Sequence, residues 1–168
     1  MAGTTAATAQ NDADRPPLAE RLTFLIHTAS ARIANIGNRH FRDHDLNHFS
    51  ARILVLLLEH VELRTGELVE RMVLPQSTIS SQLQALHKKR LIRRRRSRLD
   101  NRSVNVSLTE TGVELARDCN ALSLRVHEEV IGGLGERERQ QGFAFLRKIN
   151  ERLVALEKQD LYSFQETS

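Results

Sequence analysis

The sequence predicts a mainly α (α+β) fold. Three observations carry this. Apolar residues recur every three or four positions through most of the chain, the period drops to two only between positions 91 and 108, and that switch coincides with a dense run of cations. The 168 residues, 40% hydrophobic and 27% charged, fit one globular domain of ordinary composition. The longest unbroken apolar run, Ile53 to Leu58, is far too short to cross a bilayer, so no membrane association is expected. Residues 1–17 lack both a basic start and an apolar stretch; they read as a flexible tail with no secretory signal, and a cytoplasmic protein is expected. Cys119 is the only cysteine, which excludes an intrachain disulfide framework.

Pro16-Pro17 suits a first helical turn, where a missing N–H costs nothing. Leu18, Leu22, Leu25, Ala29, Ile33 and Ile36 then mark one stripe of a long helix reaching about Asn38. After a polar break, Ile53, Leu54, Leu57 and Leu58 form the inner face of a second helix, capped by Asn47 or Ser50. Leu63-Arg64 is a short extended link. Thr65 caps a brief third helix that turns Leu68, Val69 and Met72 inward. Pro75 opens a fourth, Gln76 to Lys89, with Ile79, Leu83 and Leu86 on one face and Ser77, Ser81, Gln84 and Lys88 on the other. Two short helices joined by a tight turn make a helix-turn-helix.

Leu91 to Arg96 and Ser103 to Leu108 alternate as strands do, joined by residues 97–102, so a β-hairpin follows the second helix of that unit directly. The unit is therefore a winged helix-turn-helix. Thr109 caps a long fifth helix carrying Leu115, Cys119, Leu122 and Val126, which Gly132-Gly133-Leu134-Gly135 ends. A last helix, Glu136 to Gln159, aligns Leu146, Ile149, Leu153 and Leu156. Terminal helices with such narrow stripes cannot all be buried within one small winged domain, so a homodimer is expected. The expected organisation is a tail over 1–17, an N-terminal dimerisation helix over 18–45, the winged domain over 46–109, C-terminal dimerisation helices over 110–159 and a tail over 160–168.

Net charge is only +4, yet residues 87–102 hold nine Lys or Arg against Asp100 alone, a local charge of +8 on a body of −4. Eight of those cations fall between positions 88 and 98, where their mutual repulsion calls for a polyanion. Small polar side chains at a helix start let it approach base edges. The candidates are Gln76, Ser77, Thr78, Ser80, Ser81 and Gln84, and glutamine can pair with adenine through two hydrogen bonds. Arg98 and Arg102 at the hairpin tip can enter a minor groove. Lys88, Lys89 and Arg93 to Arg96, Arg95 among them, sit where the flanking backbone would run. Double-stranded DNA is the expected partner.

The segment LPQSTISSQLQALHKKRLIRRRRSRLDNRSVNVSLTETG resembles the MarR family of bacterial transcriptional regulators, within a likeness covering about residues 18–157. Ser77-Thr78-Ile79-Ser80 is similar to that family's recognition-helix start. Asp100-Asn101-Arg102-Ser103 with Val106, Leu108, Thr109, Thr111 and Gly112 is similar to its wing signature. The resemblance implies a homodimer with interlocked terminal helices that reads a pseudo-palindromic operator, most often as a repressor, and responds to a small-molecule or redox signal. It places Arg102 in the minor groove and makes Asp100 an anchor for arginines at the wing base; Asp100 is equally suited to a turn. It also implies an effector, a phenolic or other aromatic acid, near His27 and Ser30. Arg90 departs from the pattern, standing where the family usually has glycine. Left-handed there, it costs roughly 1–2 kcal/mol; otherwise the helix ends differently or Arg90 serves a phosphate.

Other readings are weaker. The basic hairpin alone would suit a non-specific architectural or RNA-binding protein. His40, His44 and His48, with Asp43 and Asp45 nearby, have zinc-ligand chemistry and would suit a metal-responsive regulator, but Leu46-Asn47 should break the helix between them. Cys119 on a helix seam reads as a small core residue, since a redox role needs a lowered thiolate pKa. There is no Gly-rich phosphate loop, nucleophile elbow or His-Glu-x-x-His, so neither an enzyme nor a cofactor is expected.

Overall fold

Pro16 and Pro17 do not open the first long helix directly. In the computed structural model, which describes residues 15–96 and 104–159, a 3-10 turn over Leu18–Glu20 ends at an extended Arg21. The Arg21 Nε–H donates to the Pro16 carbonyl at 3.0 Å, and helix α1 then runs Leu22–His40. A second 3-10 turn, Arg42–His44, closes on Asp45 in the left-handed region, φ 52°. That lets the Leu46 N–H reach the Phe41 carbonyl at 3.2 Å and buries both side chains.

Helix α2, His48–His60, is capped by Asn47, whose Oδ1 accepts the Ser50 N–H at 2.8 Å. Ser50, the alternative cap, is buried and donates its hydroxyl to Gln82 Oε1 at 2.6 Å. The link at Leu63-Arg64 is itself a strand: β1, Glu62–Arg64, pairs antiparallel with β3, Val104–Leu108, which also pairs with β2, Ile92–Arg96. The hairpin thus becomes a three-stranded sheet of order β1-β3-β2.

Thr65 is not a cap but the first residue of α3, Thr65–Met72, and its hydroxyl donates to the Val104 carbonyl at 3.2 Å. The cap comes from Glu67 instead, whose carboxylate accepts the Arg64 N–H at 2.8 Å. Val73 turns left-handed, and α4 runs Gln76–Lys88 after Pro75. Ile53, Leu54 and Leu57 of α2, Leu68 of α3, Ile79, Leu83 and Leu86 of α4, with Ile92 and Val106 of the sheet, are all under 2% exposed and form the core. Each contributes about 1.5–3 kcal/mol by leaving water.

Helix α5, Glu110–Ile131, starts against the sheet root. The Thr109 N–H donates to the Leu91 carbonyl at 3.0 Å, the Thr109 hydroxyl reaches the Arg90 carbonyl at 2.7 Å, and the same oxygen accepts the Gly112 N–H at 3.0 Å. A Cβ on Gly112 would overlap the Leu91 carbonyl oxygen. Helix α6 runs Glu136–Leu156.

The described residues form two compact units that divide within α5, one reaching Leu122 and one starting at Ser123. In the first, α1 leaves Leu22, Leu25, Ile33 and Ile36 more than a third exposed. In the second, α6 leaves Phe143, Leu146, Leu153 and Leu156 similarly bare, while the His127 ring stacks on Phe143 with centroids 5.9 Å apart. Among the described residues, no helix is long and apolar enough to cross a membrane.

Candidate nucleic-acid interface

Helix α4 is amphipathic because its apolar residues fall at spacings of four and three, and burial of Ile79, Leu83 and Leu86 fixes its rotation. Gln76, Ser77, Ser80, Ser81, Gln84 and Lys88 are consequently exposed, with Thr78 half-buried at the boundary. Gln82, whose role the sequence did not show, points inward and ties α4 to α2 through Ser50. A bond between residues 32 apart leaves no local signal.

The end of α4 forms a Schellman motif. Arg90 is left-handed at φ 58°, its N–H donates to the His87 carbonyl at 2.9 Å, and the Leu91 N–H donates to the Leu86 carbonyl at 3.1 Å. Of the alternatives for Arg90, the structure adopts the strained one, and the buried Leu86 and Leu91 seal the turn. Lys89 is not a free backbone-facing cation. It forms an ion pair with Asp45, which holds that carboxyl below the usual carboxylate range by hydrogen bonding first and charge second.

On β2 the cations alternate. Arg94 stands opposite Val106, and Arg96 opposite Val104, on the face that buries Ile92 and Leu63. Arg93 and Arg95 stand opposite Ser107 and Asn105 on the outer face. All four are exposed, and among the described residues none has a carboxylate partner. Arg98, Asp100 and Arg102 lie outside the described residues.

The weaker candidates separate. His27 and Ser30 are exposed on α1 and do not line the first unit's crevice of about 360 Å³, whose walls include His44, Lys89, Leu91 and Glu114. The His40 and Phe41 rings pack T-shaped with centroids 5.0 Å apart, His44 borders the crevice, and His48 accepts the Arg52 Nε–H at 3.2 Å. The three histidines are not brought together. Among the described residues, no three His, Cys, Asp or Glu side chains are grouped to hold a metal ion. Cys119 is 3% exposed, and burial, with the neighbouring Asp118 carboxylate second, pushes its thiol up to about 11. That is the opposite of redox activation.

Residues 38–119 match the family model of the transcriptional regulator SarA/Rot. The regulator SarZ of Staphylococcus aureus (strain MRSA252) is 29% identical over 121 residues, spanning 72% of this chain and 80% of that protein. Among solved structures, the DNA complex of S. aureus MepR superposes with a TM-score of 0.74 at 21% identity, covering 79% of this chain and 98% of that one. The Bordetella bronchiseptica regulator BpsR, whose DNA binding is regulated by 6-hydroxynicotinic acid, superposes at 0.71 with 22% identity, covering 81% and 97%. The fold of these structures is the winged fold described above. With the SarA/Rot match spanning the helix-turn-helix and wing root, the chain is similar to transcriptional regulators of the SarA/Rot type and has the winged-helix fold of the MarR-type structures.

Proposed function

We propose that the protein is a homodimeric, ligand-responsive repressor that binds a palindromic operator and is released by a small aromatic or phenolic acid. The observation that carries this reading is the polar row of α4, Ser77, Ser80, Ser81 and Gln84, held outward by a buried opposite face beside an arginine-rich strand. The helix would read bases in the major groove, while Lys88, the β2 arginines, Arg98 and Arg102 supply affinity and Asp100 orders the wing. The bare apolar stripes of α1 and α6 support a two-fold partner, since a monomer would leave them in water. BpsR, regulated by a hydroxylated aromatic acid, supports an effector of that class, with His27 and Ser30 as its first candidate contacts.

A gel shift with the DNA upstream of the protein's own gene, at about 150 mM salt, tests this. Preference for that fragment over random duplex, lost in Ser77→Ala/Ser81→Ala and relieved by an aromatic acid, is the expected result. Equal binding to all duplexes, with those serines silent, would instead establish the architectural reading. Arg102→Ala should weaken binding strongly without lowering the melting temperature. Sedimentation should give twice the chain mass.

A further inference from the structure

The geometry points to a wing strand that grips both sugar-phosphate backbones flanking one minor groove, with Arg93 and Arg95 on one strand of the DNA and Arg94 and Arg96 on the other. This rests on the DNA-binding reading above and adds what the register alone decides. Four consecutive arginines on a helix would fan around one cylinder; on β2 they must alternate, two per face. The pairing places Arg94 and Arg96 on the face of Val106 and Val104, and Arg93 and Arg95 on the face of Ser107 and Asn105.

Among the described residues, neither face has another use for its charge. β2 is an edge strand of the sheet, all four arginines are exposed, and none has a carboxylate partner among the described residues. The carboxylate on the outer sheet face, Glu62, stands on the far strand and accepts the Asn105 amide at 2.7 Å. An unneutralised row on each face of one ribbon needs anions on both sides, and a single phosphate row satisfies only one.

The dimensions of a minor groove meet this need. Alternate residues of a strand lie about 6.6 Å apart, commensurate with two phosphate steps at about 3.4 Å of helix axis each. Side chains leave a strand by about 5 Å on either side, and long arginines reach beyond that, so a ribbon entering a groove about 6 Å wide meets a backbone on each side. Arginine suits the task because its planar fork stays charged and holds two phosphate oxygens at once.

The test uses the full chain and two double variants, Arg93→Gln/Arg95→Gln and Arg94→Gln/Arg96→Gln, which remove exposed charge and leave the core intact. Phosphate-ethylation interference on the upstream fragment should show wing-flank contacts on both DNA strands within each half-site for the native protein. Within each half-site, each double variant should lose contacts on one strand only, and the strands lost by the two variants should be opposite. Each should also flatten the log K against log salt slope by about 1.8 per subunit, about 3.6 for the dimer, which is about a 150-fold smaller affinity loss over a fourfold rise in salt. Loss of the same phosphates by both variants, or one variant unchanged in contacts and slope, overturns the inference. If the native protein gives no footprint but binds random duplex, the operator reading fails. The two slopes on that duplex then decide whether both faces touch DNA.

Discussion

Gly112→Ala isolates the contact that joins the recognition unit to the long helix α5. Gly112 lies in the first turn of α5 with ordinary helical backbone, so alanine introduces no dihedral strain and should add about 1 kcal/mol of helix propensity. Opposing this, its Cβ would fall inside the Leu91 carbonyl oxygen, a backbone atom that cannot swing aside. Helix α5 must retreat, which stretches the Thr109 bonds to the Leu91 and Arg90 carbonyls, now 3.0 and 2.7 Å, at about 1 kcal/mol each. It also loosens the packing of Leu91 and Ala116, at about 1–2 kcal/mol. The clash wins by about 2–3 kcal/mol. For a chain of this size that lowers the melting temperature by roughly 5–10 °C, read by circular dichroism at one fixed protein concentration. Gly66→Ala, with open space around the new methyl, serves as the control and should not lower it. A Gly112→Ala protein that melts at or above the native temperature would show that the Leu91 carbonyl does not constrain α5, and would refute the reasoning.

Arg90→Gly should raise stability by about 1 kcal/mol, the relief of a left-handed side chain less the extra freedom of glycine in the unfolded chain. Urea denaturation measures the gain, and an unchanged salt slope of DNA binding would separate this from a phosphate contact. Cys119 should resist thiol reagents at neutral pH until the protein is denatured. Because its folded pKa is raised to about 11 from the ordinary 9.0, its contribution to stability is full below the lower value and declines as pH rises between the two. An alkaline melting series against Cys119→Ala reads the difference. His48 is shifted the other way, held below the ordinary imidazole value by burial first and by the Arg52 charge second. Its contribution is therefore present above about pH 6.5 and lost as pH falls. His48→Gln should flatten that acid-side slope in melting curves taken from neutral pH downward.

The sequence by itself determined what depends on local period. Ile79, Leu83 and Leu86 recur at helical spacing, so the rotation of α4 and its outward polar row followed from residue order. The alternation of Val104, Val106 and Leu108 likewise marked a strand, and the charge count located the basic segment. Tertiary structure decided whatever depends on a partner remote in the chain, because periodicity names a face and not what lies across from it. Lys89 reads by sequence as a backbone-facing cation, but it pairs with Asp45, 44 residues earlier. Asn47 and Ser50 both suit the cap of α2 by sequence; Asn47 fills it because Gln82, 32 residues on, takes the Ser50 hydroxyl. The extended link became a third strand only through pairing with β3, and that register also divided Arg93 to Arg96 between two faces. Arg90 could keep its left-handed turn because Leu86 and Leu91 close over it, a cooperation between packing and backbone that no single residue announces.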